Sequence, residues 1–120
     1  VEVKGDPVLL RQLIENLLEN ALKFSQPHPV IHIDAERVDS EWIFFVKDNG
    51  PGVELEHREY IFQMFKRSRI DVEGDGIGLA LCKKIAGIHR GRIWMEPGDG
   101  PSDRPGSIFK VAFPLPTRNP

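Results

Sequence analysis

Two asparagines and a lysine recur at helical spacing near the start of this 120-residue chain. Asn16, Asn20 and Lys23 fall within one narrow stripe, since each helical residue turns by about 100°. An amide oxygen can bind a hard cation such as Mg²⁺, and a lysine ammonium can neutralise phosphate oxygens. A half-buried polar stripe is costly without a polar partner, so the pattern is compatible with a site for metal and phosphate. Three ordinary surface residues would give the same spacing.

A carboxylate beside two glycines is the second candidate. Asp48 follows a near-continuous apolar strand, Trp42 to Val46, and precedes Gly50 and Gly52. A carboxylate at the end of such a strand can accept a hydrogen bond from the exocyclic amine of adenine, and the glycines would let the backbone approach the ring. The alternative is an ordinary Asn-Gly hairpin turn. The residues that follow have a helical pattern, which leaves such a turn without a partner strand.

Three glycines, Gly74, Gly76 and Gly78, precede or open a helix predicted from about Ile77 to His89. Backbone N–H groups at a helix start form a ready phosphate site. The segment is not a Walker A loop, because no Gly-Lys-Ser/Thr follows. It is also a poor match to a dinucleotide-binding fingerprint, because a charged loop precedes it instead of a strand. Arg67, in that charged loop, could place its guanidinium on a terminal phosphate, although charged loops are usually only solvated.

The elements that must position these residues are predicted from periodicity and turn residues. Asp6-Pro7 starts a helix that runs to about Phe24, with an apolar face formed by Leu10, Leu13, Ile14, Leu17, Leu18, Ala21 and Phe24. The other predicted elements are a strand fragment at Val1 to Lys4, a hairpin of Val30 to Val38 with the more buried Trp42 to Val46, a helical segment through Glu59 and Phe65, and strands at Arg92 to Glu96 and Ser107 to Pro114. They form one α/β domain over residues 1–120, with a mixed, mostly antiparallel sheet covered on one face by about three helices.

Composition narrows the class of protein. The chain is 40% hydrophobic and 28% charged with a net charge of −2, as in ordinary soluble domains, which gives no support for a nucleic-acid or membrane-surface partner. No run approaches the roughly 18 apolar residues of a membrane span, and no signal peptide opens the chain, so a cytoplasmic domain is expected. Cys82, the single cysteine, is expected to be a small buried hydrophobe.

In this order, the segments resemble the catalytic, ATP-binding domain of sensor histidine kinases, within the superfamily of gyrase, Hsp90 and MutL. The resemblance covers nearly the whole chain. Residues 13–25 are similar to the N box, residues 48–53 to the first glycine box, residues 61–67 to the F box, residues 74–81 to the second glycine box, and residues 106–109 to the later Gly-x-x-Phe signature.

The resemblance implies a left-handed α/β sandwich, the Bergerat fold, which binds ATP and Mg²⁺ under a mobile lid. It implies that Asn20 binds Mg²⁺, that Asn16 and Lys23 contact the phosphates, and that Asp48 recognises the adenine amine. It assigns the remaining nucleotide contacts to Gly50, Gly52, Gly74, Gly76, Gly78 and Leu79, and a contact with the γ-phosphate to Arg67.

The implied reaction is transfer of the γ-phosphoryl group to a histidine on a separate helical dimerisation domain, with a response regulator downstream. ATPases of the superfamily carry a glutamate base one turn before the metal-binding asparagine, where this chain has Asn16, which cannot take up a proton. The alternatives are a nucleotide-binding pseudokinase and a small ATPase. Because dimerisation belongs to the helical domain, the fragment is expected to be monomeric.

Three segments depart from the family pattern. Arg90 stands where the family has the first glycine of His-Gly-Gly-Arg-Ile, so it would be strained if the position needs a positive φ. His89 is expected to cap carbonyl groups at the end of its helix. The lid, Ser68 to Glu73, is short and acidic, and the loop Pro97 to Gly106 is longer than the usual connection.

Overall fold

The computed structural model of the chain describes residues 3–53 and 76–115. Their elements are, in order, α1 (Pro7–Phe24), β1 (His32–Val38), β2 (Glu41–Lys47), α2 (Gly76–Ile88), β3 (Arg92–Pro97) and β4 (Ser107–Pro114). The predicted order is confirmed for these elements, with bounds that agree within about two residues. The predicted helical segment through Glu59 and Phe65 lies outside the described residues, as do the lid, Arg67 and Gly74. Val3 and Lys4 lie in no strand, so the described half of the predicted strand fragment is wrong.

The first helix, α1, begins as its sequence predicts. The Asp6 carboxylate accepts hydrogen bonds from the backbone N–H groups of Val8 at 2.9 Å and Leu9 at 3.2 Å. Pro7 occupies the first helical position, where its missing N–H costs nothing. The apolar face is narrower than predicted, because Ile14 is 41% exposed. A helix that is covered on one side only buries a limited stripe, here made by Leu13, Leu17 and Ala21.

The four described strands form one sheet in the order β1-β2-β4-β3. Every neighbouring pair is antiparallel, which confirms the mostly antiparallel sheet, and no parallel pair of the predicted mixed sheet lies within residues 3–53 and 76–115. The second strand of the hairpin, β2, is more buried than β1, as predicted, because it is an interior strand while β1 lies at the edge of the described sheet.

Both described helices pack against each other and against the sheet. The core lies between these two layers, and Cys82 is fully buried in it, as predicted. Neither helix is long and apolar enough to cross a lipid bilayer, in the part of the chain that the structure describes. The core side chains come from α1 (Leu13, Leu17, Ala21), α2 (Leu79, Cys82, Ile85, Ala86) and the sheet (Val46, Met95, Phe109, Val111, Phe113).

The end of α2 is joined to the start of α1 by His89. Its Nδ1 lies 2.8 Å from the carbonyl oxygen of Ile85, which confirms the predicted cap. Its Nε2 accepts a hydrogen bond from the backbone N–H of Asp6 at 3.0 Å, so the proton of the neutral ring belongs on Nδ1. The next residue, Arg90, has φ of 61°, which places a non-glycine residue in the left-handed region as the sequence suggested.

Candidate functional site

A cleft between α1 and the start of α2 brings two of the sequence candidates together. It encloses about 240 Å³, part of it open to solvent, and is lined by Asn16, Glu19, Asn20, Gly78 and Leu79. The asparagine stripe and the second glycine box, which are about 60 residues apart in the sequence, therefore face one another. Glu19 is exposed and borders this cleft.

The most unusual group in the cleft is the side chain of Asn20. It is only 6% exposed, and its Nδ2 has no hydrogen-bond partner among the described residues. A buried polar group without a partner costs about 1–3 kcal/mol, so such groups in native proteins usually mark an ordered water, a ligand or an ion. Rotation of the amide by half a turn would place Oδ1 there instead of Nδ2, which suits a cation equally well.

The other predicted phosphate contacts lie near this cleft but do not line it. Lys23 is half-buried and lies in the last turn of α1, one turn after Asn20. Gly76 is the first residue of α2, so the glycine-rich segment does open that helix, as predicted. The structure therefore places Asn16, Asn20, Gly78 and Leu79 around one space, while the positions of Arg67 and Gly74 lie outside the described residues.

Asp48 is buried in the turn that follows β2. Its Oδ1 accepts hydrogen bonds from the backbone N–H groups of Gly50 at 2.9 Å and Ser107 at 3.1 Å. Burial raises the pKa of this carboxyl above its ordinary value of 3.8, although the N–H donors and the positive charge of Arg104 oppose the rise. Asp48 is thus a desolvated acceptor that the backbone holds in place, and residues 48–53 form no strand that would make it part of a hairpin.

The Asp48 turn adjoins the end of α1, although Asp48 does not line the cleft. A Cβ on Gly50 would lie 2.5 Å from the carbonyl oxygen of Phe24, so only glycine allows this approach. Phe24 lies one turn after Asn20 on the same helix. Gly52 has φ of 82°, which also requires the freedom of glycine. The turn that carries Asp48 therefore touches the last turn of α1, one turn beyond Asn20.

Sequence reasoning missed the residues that hold this turn. The Asn49 side chain accepts a hydrogen bond from the backbone N–H of Val30 and donates one to the carbonyl oxygen of His28, each at 2.9 Å. On the other side, Arg104 Nε donates a hydrogen bond to the carbonyl oxygen of Asn49 at 3.0 Å. The backbone N–H of Gly106 donates one to the carbonyl oxygen of Gly50 at 2.8 Å. The only sequence signal for a role of Asn49 is its position directly after Asp48. The partners of the turn become evident only from the pairing of β2 with β4.

The polar side chains of the cleft carry oxygen atoms, which hard cations prefer as ligands. No group of three or more His, Cys, Asp or Glu side chains that could hold a metal ion is present in residues 3–53 and 76–115. The cleft is lined by the amide groups of Asn16 and Asn20 and bordered by the carboxylate of Glu19. Such a donor set suits Mg²⁺, which usually keeps several waters and takes few protein ligands beside substrate phosphates.

Comparison with known proteins places this fold and these motifs in one family. The family described as histidine kinase-, DNA gyrase B-, and HSP90-like ATPase matches residues 5–117. Cyanobacterial phytochrome A of Nostoc sp. (strain PCC 7120) is 46% identical over 109 residues, which are 88% of this chain and 14% of that protein. The chain thus spans a small part of that relative.

Two solved structures show the same architecture. The mycobacterial sensor histidine kinase MprB superimposes with a TM-score of 0.87 and 28% identity, over 96% of this chain and 78% of that one. Full-length ShkA in complex with AMPPNP superimposes with a TM-score of 0.79 and 28% identity, over 97% of this chain and 23% of that one. With its α1–α2 cleft and its antiparallel sheet, the chain belongs to the family of histidine kinase-, DNA gyrase B- and HSP90-like ATPases, and its fold is that of a histidine kinase catalytic domain.

Proposed function

We propose that this chain binds ATP with Mg²⁺ and transfers the γ-phosphoryl group to a histidine on a separate helical domain. The observation that carries the proposal is the Asn20 amide, which is buried and has an Nδ2 without a partner among the described residues, in a cleft beside the glycine-rich start of α2. The helix start offers backbone N–H groups and a positive dipole end to the phosphates. Asp48 takes the adenine amine, and the proposed further contacts are Asn16, Lys23, Gly50, Gly52, Arg67, Gly74, Gly76, Gly78 and Leu79.

The metal fits the donor set of the cleft, where Asn20 would supply the protein oxygen. When bound, Mg²⁺ neutralises charge that develops on the transferred phosphoryl group and the leaving ADP. The protein itself contributes mostly position: α1 and α2 hold the nucleotide so that its terminal phosphate faces an incoming acceptor.

The transfer step makes one bond and breaks one. An imidazole nitrogen of the acceptor attacks the γ-phosphorus, and the bond from this phosphorus to the β–γ bridging oxygen breaks. ADP leaves with that electron pair, and the imidazole proton passes to solvent. Because the acceptor imidazole is the nucleophile, this reaction needs no general base to activate a water molecule. One turn before Asn20 stands Asn16, whose amide cannot accept a proton, so ATP should survive until the acceptor arrives.

We propose that the acceptor is the dimerisation domain of the same kinase, that a response regulator receives the phosphoryl group next, and that this domain by itself is a cytoplasmic monomer. The similarity to named histidine kinases, together with the balanced net charge of −2, supports this assignment over a nucleic-acid partner.

Calorimetric titration with Mg–ATP, followed by addition of the helical domain from the parent protein, tests the proposal. We expect binding, little phosphate release alone, and acid-labile phosphate on the helical domain. Binding without transfer would identify a pseudokinase and overturn the kinase proposal. Steady phosphate release without an acceptor, abolished by Glu19→Gln at the cleft border, would identify an ATPase.

A further inference from the structure

Among the described residues that line the cleft, only Glu19 is charged. The other lining residues are neutral, namely Asn16, Asn20, Gly78 and Leu79. The remaining charged residues of α1 do not line the cleft, namely Arg11, Glu15 and Lys23. In the described part of the chain, a cleft that is proposed to hold phosphates is therefore bordered by an exposed carboxylate and by no positively charged side chain.

The residue next to Glu19 shows independently that a polar ligand belongs in this cleft. The Asn20 side chain is 6% exposed, and its Nδ2 has no hydrogen-bond partner among the described residues. A buried polar group of this kind usually meets a ligand, an ion or an ordered water. Whatever the Asn20 amide binds therefore lies close to the negative charge of Glu19.

This charge determines which form of a nucleotide the cleft favours. The repulsion between a carboxylate and a polyphosphate grows with the negative charge of the ligand. A bound Mg²⁺ offsets about two of the negative charges of the phosphates, so the metal-free nucleotide is repelled more strongly than its Mg²⁺ complex. The Lys23 ammonium, one turn further along α1, acts in the opposite sense, because it attracts the metal-free form more strongly.

We propose that Glu19 is a specificity-determining residue, which makes the cleft prefer a nucleotide complexed with Mg²⁺ over the same nucleotide without metal. It acts through its charge at the border of the cleft, and this role requires no direct bond from its carboxylate to the cation. The inference rests on the nucleotide binding proposed above and adds to it the form of nucleotide that is bound.

Two substitutions at Glu19 test the role by calorimetric titration with AMPPNP, once with excess Mg²⁺ and once with EDTA. Glu19→Gln removes the charge and keeps the length of the side chain. We expect metal-free AMPPNP to bind this variant about three- to tenfold more tightly, as for one partly screened charge beside a polyanion. Mg–AMPPNP should gain less, so the ratio of the metal-free to the Mg²⁺ dissociation constant should fall. Glu19→Lys should lower this ratio further, and both effects should shrink at high ionic strength.

The same substitutions at Glu15 are the matched controls, since Glu15 is an exposed carboxylate one turn earlier on α1 that does not line the cleft. They should change the ratio less, and an unchanged unfolding midpoint shows that each variant is folded. A ratio in Glu19→Lys equal to that of the parent or of Glu15→Lys would overturn the role of Glu19. Failure of metal-free AMPPNP to bind Glu19→Lys would overturn it too. If the parent chain binds no Mg–AMPPNP at all, the proposed function itself fails.

Discussion

At the scale of single residues, Asp48 stands out because its environment works against its charge. Burial disfavours the ionised carboxylate, and two backbone N–H groups with the Arg104 charge recover only part of that cost. A carboxylate kept in such a place contributes little to stability, since its desolvation offsets its hydrogen bonds. A binding role explains it better, because a desolvated acceptor gains most from a matching donor.

We therefore expect Asp48→Asn to separate stability from binding. The asparagine oxygen can keep the bonds from Gly50 and Ser107, but its amide would then oppose the adenine amine donor to donor. Binding of Mg–ATP should weaken by about 10- to 100-fold, the equivalent of about 1.5–3 kcal/mol for a hydrogen bond to a charged group. Calorimetry of the parent and of Asp103→Asn, the same change at an exposed site, provides the comparison. Equal affinity in all three proteins would contradict the role of Asp48.

The stability of the same variant follows from the sign of the pKa shift. Because the folded pKa lies above the unfolded value, the folded state binds more protons between the two, and the free energy of unfolding falls as pH rises through this interval. The loss of stability caused by the buried charge persists at pH values above the folded pKa and vanishes below the unfolded pKa. Asp48→Asn lacks this titration, so at neutral pH its free energy of unfolding should equal or exceed that of the parent, as measured by urea denaturation.

Sequence reasoning at this scale found the groups that could do chemistry but not those that support them. Asn16 and Asn20 were identified because helical spacing alone places them on one stripe. Asn49 and Arg104 were not, because their partners are backbone groups 19 to 55 residues away, which no local pattern specifies.

At the scale of elements, local chemistry predicted most boundaries. Asp6 and Pro7 fix the start of α1, and Gly106 comes directly before β4. The sequence could not show which tertiary contacts connect the elements. His89 is an example: its capping of α2 was predicted, whereas its bond to the N-cap residue of α1, 83 residues earlier, was not.

His89→Phe tests this joint between the helices. The ring of Phe113 meets the His89 ring edge to face, with centroids 6.1 Å apart, and a phenyl ring would keep that packing. Both hydrogen bonds of the imidazole would be lost, so the free energy of unfolding should fall by about 1–3 kcal/mol. Chemical denaturation of the variant is compared with His28→Phe, at an exposed position, which should change it by less than about 0.5 kcal/mol. Equal effects of the two substitutions would show that the ring nitrogens of His89 contribute nothing.

At the scale of the whole molecule, the antiparallel pairing of β2 with β4 assembles the candidate adenine contact. The end of β2 lies beside the start of β4, so the turn after one strand meets the loop before the other. The β3–β4 loop, which looked only longer than usual in the sequence, thereby reaches the Asp48 turn through Arg104 and Gly106. The loop thus supports the Asp48 turn, and it places a positive charge near the buried carboxylate.

Arg104→Gln should change the pH dependence of nucleotide binding through this loop. Removing the positive charge removes one of the causes that lower the pKa of Asp48, so that pKa should rise further. In the proposed complex the adenine amine donates to the ionised carboxylate, so we expect binding to be lost as pH falls through this pKa. The loss should begin at higher pH in the variant. Titrations with Mg–ATP from pH 4 to 8 measure the shift, with the protonation of the nucleotide common to both proteins. Arg104→Lys keeps the positive charge but loses the guanidinium bond to Asn49. A pH profile close to that of the unsubstituted protein would therefore assign the effect to charge. If the profiles of Arg104→Gln and the unsubstituted protein superimpose, the Arg104 charge has no effect on nucleotide binding.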